Sequence, residues 1–160
     1  MDIAEFLTGT EHMPAADAQL LAQTAGGSIG RALATDIETY RESRESMLKV
    51  LISLTVTNDR EQLLRSAEEL AAAKDRDEYE RLLDVLESLI RDAWALRLGR
   101  PGETILNRDL LVDLQKIAGE IRSDQAAAWL IQIEELRGAL EVNINRRVAS
   151  DALFLSMGVA

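Results

Sequence analysis

Between Tyr79 and Gly99 the chain places Leu82, Leu83, Leu86, Leu89, Ile90, Ala93 and Trp94 at steps of three and four. That spacing sets them on one broad face of an α-helix, whereas a half-buried strand needs alternation by two. A wide apolar face of this length must be covered, so the helix is expected at the centre of a core, stopped by Gly99 just beyond its end. No segment of the chain alternates by two over the length of a strand. Aromatic residues are 4% of the chain and prolines number two, which leaves little to favour sheets. The fold class is therefore all-α. With 47% hydrophobic residues in a chain of 160, there is enough to bury one ordinary domain or two small ones without disulfides or metal.

The remaining helices follow from their stops and caps. "IAEFL" is a short apolar piece, "TGTEHMP" a turn, and "AADAQLLAQTA" a helix with Leu20, Leu21, Thr24 and Ala25 near one face. Gly26 and Gly27 stop it, and Ser28 is placed to cap the next. From there Ile29, Leu33, Ile37, Tyr40, Met47, Leu51 and Leu54 predict one long helix or two nearly collinear ones. Asn58 or Asp59 begins a helix carrying Leu63, Leu64, Ala67, Leu70 and Ala71, and "AKDRDEY" separates it from the central one. "RPGETIL" reads as a loop, with Asn107 capping the helix that follows and Ser123 capping another with Ala127, Leu130, Ile131, Leu136 and Leu140 on its apolar face. A turn at Asn143 to Asn145 leads into the last helix, for which Asn145 is the cap.

Several function classes are set aside by inventory. There are 28 acidic residues against 18 basic ones, a formal net charge of −10, whereas binding to a nucleic-acid backbone needs a surplus of cations on one face. No apolar run approaches the length of a membrane span, and the start of the chain has neither the basic end nor the apolar middle of a signal peptide. The absence of cysteine removes thiolate zinc sites and disulfides and agrees with a cytoplasmic setting. The single histidine, His12, falls in a surface turn with no local partner, and one histidine cannot supply the paired Glu-x-x-His motifs of a di-iron bundle. The acidic pairs around Glu68 and Glu134 fall on solvated helix sides. No phosphate-binding loop sequence is present. No catalytic residue, metal or cofactor is expected.

The stretch "LAQTAGGSIGRAL", residues 21 to 33, reads on its own as a helix stop, a tight turn and a serine-capped helix start. It also resembles the lid segment of AAA+ clamp-loader subunits, in which a Gly-Ser-x-Gly-Arg-Ala turn carries the sensor 2 arginine. Arg31 stands at the matching position, and the resemblance implies a guanidinium reaching toward nucleotide phosphates held by a neighbouring core domain. "RGALEVNINRRVASDALFLSM" resembles the closing helices of the delta prime type of bacterial DNA polymerase III clamp-loader subunit, and "LLDVLESLIRDAWALRLGRPGETILNRDLLVDLQKIA" is similar to the same family's middle.

What the resemblance implies is a piece of such a subunit: the end of the helical lid over residues 1–36 and a helical collar domain over 37–160. Met1 would then mark a start inside a longer subunit as readily as a natural one. The phosphate loop, the sensor 1 region and the arginine finger belong to the family's core domain and have no counterpart here, and delta prime subunits are generally not the hydrolysing members. The implied function is non-catalytic, holding loader subunits together, with those subunits as partners. A gamma or tau type of collar and a free-standing helical adaptor are the alternatives. In the last helix Val148, Ala149, Ala152, Leu153, Phe154, Leu155 and Met157 exceed what one face can use, so it is either the central helix of a monomeric bundle or, as the resemblance implies, a helix whose second side meets a neighbouring collar domain. Proximity to Asp151 assigns Phe154, with Leu153 and Met157, to the partner side, and Val148, Ala152 and Leu155 to the core.

The charge balance generates a first prediction. Binding of duplex DNA by this chain is weak and falls steeply with salt, because the acidic excess opposes the backbone while "NRR", Arg97 and Arg100 form small basic patches. Fluorescence anisotropy across a salt series checks it, and tight binding that survives about 0.2 M salt would contradict it.

Overall fold

The computed structural model describes residues 2–24, 28–30 and 36–159. Among these the protein is all-α, with eight helices and no strand. The helices are α1 (Ile3–Gly9), α2 (Ala15–Thr24), α3 (Ile37–Thr55), α4 (Arg60–Ala71), α5 (Arg76–Arg97), α6 (Leu111–Glu120), α7 (Ser123–Ala139) and α8 (Arg146–Val159). Two single 3₁₀ turns, Gly102–Thr104 and Arg108–Leu110, lie between α5 and α6. The chain divides into two compact units, residues 1–42 and 43–160, and the division falls within α3.

The first unit is a small helical cluster. The Asp2 carboxylate accepts from the Ala4 amide at 2.8 Å and so caps α1. The following turn includes His12 in the left-handed region, at φ 54°. It returns the chain as α2, so that Leu7, Ala18 and Leu21 are buried together with Ile3, Phe6, Met13 and Ile37 packed against them. Asp17 of α2 and Arg41 at the start of α3 form an ion pair. Of the one long helix or two nearly collinear ones expected from Ser28 onward, the single continuous helix is excluded by a break at Asp36, and residues 31–35 lie outside the described residues. Asp36 stands outside α3, where its carboxylate accepts from the Glu38 amide at 3.1 Å and from the Thr39 hydroxyl at 2.8 Å, a helix start overlooked because Ser28 had already supplied a cap.

In the second unit α5 buries Tyr79, Leu83, Leu86, Leu89, Ile90 and Ala93. It packs against α6 and α7, while α4 and α7 each pack against α8. The caps follow side-chain chemistry. Asp59 accepts from the Gln62 amide at 3.0 Å to start α4, and Asp75 from the Glu78 amide at 2.8 Å to start α5. Beyond α5, Gly99 adopts φ 86°, the left-handed residue that ends a helix without a Cβ clash.

Two expected starts are corrected. Asn107 stands before a 3₁₀ turn rather than at the start of α6, and it makes no side-chain capping bond because its side chain is spent elsewhere. It is buried, its amide nitrogen donates to Asp92 at 2.7 Å, and the 3₁₀ turn intervenes before α6. The helix α7 begins at Ser123 with Arg122 as its cap position, and the Gln125 side chain accepts from the Arg122 amide at 3.0 Å.

The face of α7 is also displaced from the expected one. Ala126, Trp129 and Ile133 are the buried residues of the helix; of the expected set Leu140, just beyond its end, is buried, Ala127, Leu130 and Leu136 are half-buried and Ile131 is 59% exposed. Apolar residues lie all round this helix, so spacing alone does not select its inner side. Trp129, the largest buried side chain, does: its indole N–H donates to the Met157 carbonyl at 3.0 Å. A pair of truncations reads this register. Ile133→Ala is expected to cost about 2–5 kcal/mol, and Ile131→Ala to stay within about 0.5 kcal/mol, by urea denaturation of the two variants against the parent chain.

Candidate functional site

The terminal helix α8 presents two opposed apolar faces. Its inner face consists of Ser150, Leu153, Phe154 and Met157, all buried, at the i, i+3, i+4, i+7 spacing of one helical stripe. Ser150 is tolerated there because its hydroxyl lies 2.8 Å from the Tyr79 hydroxyl and donates to the Arg146 carbonyl at 2.7 Å. Arg147 pairs with Glu68 of α4 at 2.9 Å, and the bare backbone at Gly158 lies where an added Cβ would come within 3.9 Å of Leu63. Asn145 caps the helix as expected, accepting from the Arg147 and Val148 amides at 3.0 and 3.2 Å.

The opposite face carries Val148, Ala152, Leu155 and Val159, at i, i+4, i+7 and i+11. Val148, Leu155 and Val159 are 62%, 46% and 78% exposed, and Ala152 is exposed with them. This reverses the sequence assignment. Phe154, Leu153 and Met157 are core residues, 1%, 6% and 1% exposed, and the outward side is formed by Val148 and Leu155. Nearness to Asp151 misled, because an i+3 neighbour of Asp151 turns away from it by more than half a right angle. The legible signal was size. The inner stripe holds both of the longest apolar side chains of the helix, Phe154 and Met157, with Leu153, whereas the other holds Val148, Ala152, Leu155 and Val159.

Beside this outer ridge a groove of about 300 Å³ runs between α7 and α8, lined by Gln132, Glu135 and Leu136 on one side and Ala149, Ala152 and Ser156 on the other. The Gln132 amide oxygen and the Trp94 indole nitrogen are buried with no hydrogen-bond partner among the described residues. Glu135 forms no ion pair among the described residues.

On the α5 side of α7, by contrast, charge is neutralised. Arg137 donates to Asp84 at 2.6 Å and pairs with Glu87 at 2.5 Å and with Glu134, and Arg91 pairs with Glu87 at 2.8 Å. Burial alone would push the Glu87 carboxyl up, but hydrogen bonds from Arg137 and Arg91 outweigh it and hold it below the ordinary range. Asp84 moves the other way, with burial raising it against the attraction of Arg137. A second polar cluster pins the loop before α6. The buried Asp92 carboxylate accepts from the Leu106 and Asn107 amides at 3.0 and 2.7 Å, and the buried Arg44 of α3 pairs with Asp109 at 2.5 Å. Its acceptors and donors are turned toward one another, which makes it a fastening of the fold.

The other sequence candidates are dispersed. Arg31 lies outside the described residues. His12 is exposed in its turn. Arg97 and Arg100 line a shallow cleft of about 380 Å³ with Gln115 and Gly119, where Arg97 donates to the Ala118 and Gly119 carbonyls at 3.4 Å each and so serves the end of α6. Glu68 and Glu134 are on solvated sides, as expected, each paired with an arginine. Among the described residues no group of three or more His, Cys, Asp or Glu is placed to hold a metal ion, and no helix is long and apolar enough to cross a membrane. Comparison with protein-family models, with curated proteins and with solved structures gave no match to this chain.

The Arg137 cluster generates a pH prediction. A carboxyl held low in the folded state contributes stability that is present above its unfolded pKa of about 4.3 and is lost as pH falls through the folded value. Arg137→Met should cost about 1.5–3 kcal/mol at pH 7 and flatten the acid limb of the stability profile below about pH 4.5. Urea midpoints from pH 3 to 7, about the range of that titration, test it, and an acid limb unchanged by the substitution would remove Glu87 from the account.

Proposed function

We propose that this chain is the lid end and collar of a clamp-loader subunit of the delta prime type, acting in DNA replication as a non-catalytic, cytoplasmic assembly element that joins loader subunits. The sequence support is the likeness of "GGSIGRA" and of "RGALEVNINRRVASDALFLSM" to that family. The observation that carries the reading is the outer face of α8, within the second of those stretches, where Val148, Ala152, Leu155 and Val159 form an exposed apolar ridge opposite a fully used core face. An exposed, continuous apolar line on a folded unit is suited to contact with another protein. Arg31 keeps the sensor 2 position by resemblance, with its phosphate partner supplied from a core domain. Neighbouring loader subunits are the partners, and no cofactor is assigned to the segment itself.

The test separates the two faces of α8. Leu155→Glu should leave stability within about 0.5 kcal/mol of the parent and abolish co-purification with the other clamp-loader subunits. Phe154→Glu should instead cost more than about 4 kcal/mol by burying an unpaired charge, and lose assembly only through unfolding. A Leu155→Glu chain that assembles like the parent would overturn the reading.

A further inference from the structure

We draw no further inference here: the strongest candidate, the exposed apolar ridge of α8 with the groove of about 300 Å³ beside it between α7 and α8, is an unpartnered apolar face, and nothing in the structure shows what covers it.

Discussion

The second unit is organised by the burial of α5 on more than one side. Tyr79, Leu83, Leu86, Ile90 and Ala93 are buried along one stripe, and Val85 and Asp92 are buried well round the helix from it, so a single neighbour cannot cover them all. Helices α6 and α7 are therefore drawn to it, and Tyr79 reaches the hydroxyl of Ser150 on α8. Once α5 is enclosed, α8 is committed as well: its inner stripe closes the core, and its termini are tied to α4 through Arg147 and Glu68 and to α7 through the Trp129 indole. What is left outside on α8 is whatever the sequence placed opposite Phe154. In this chain that is a line of valine, alanine and leucine rather than a charged face.

Polar fastening and apolar packing divide the work. Asp92 with Asn107, and Arg44 with Asp109, fix the irregular loop between α5 and α6, where no helix can satisfy the backbone. Removing one member of such a set leaves another buried and unpaired, which is costlier than the net value of the bond itself. The arginine at 137 plays the equivalent part between α5 and α7, where it gathers three carboxylates that would otherwise repel one another.

The sequence made the element types and most of their ends legible. The stripe from Tyr79 to Ala93, the Asp59 and Asn145 caps and the Gly99 stop were each determined by local chemistry. Faces were harder, and for a physical reason. In α7 and α8 apolar residues run nearly all round, so the inner side is chosen by fit of the largest side chains, Trp129 and Phe154, into space made by other helices. Local spacing holds no record of that space. Asn107 illustrates the same limit from the polar side. As a residue type it suits a cap, but Asp92, fifteen positions earlier in the chain, offered it a buried partner.

The outer face of α8 gains its meaning from this competition. A helix with a single apolar stripe shows its function poorly, since packing explains the whole of it. Here packing accounts for Ser150, Leu153, Phe154 and Met157 and then has no further use for Val148, Ala152, Leu155 and Val159. Leaving that line bare exposes apolar area with no folding benefit, while a charged residue at any of those positions would be tolerated by the fold. The fold thus uses one side of α8 completely and leaves the other apolar and bare, which is the asymmetry on which the assembly reading depends.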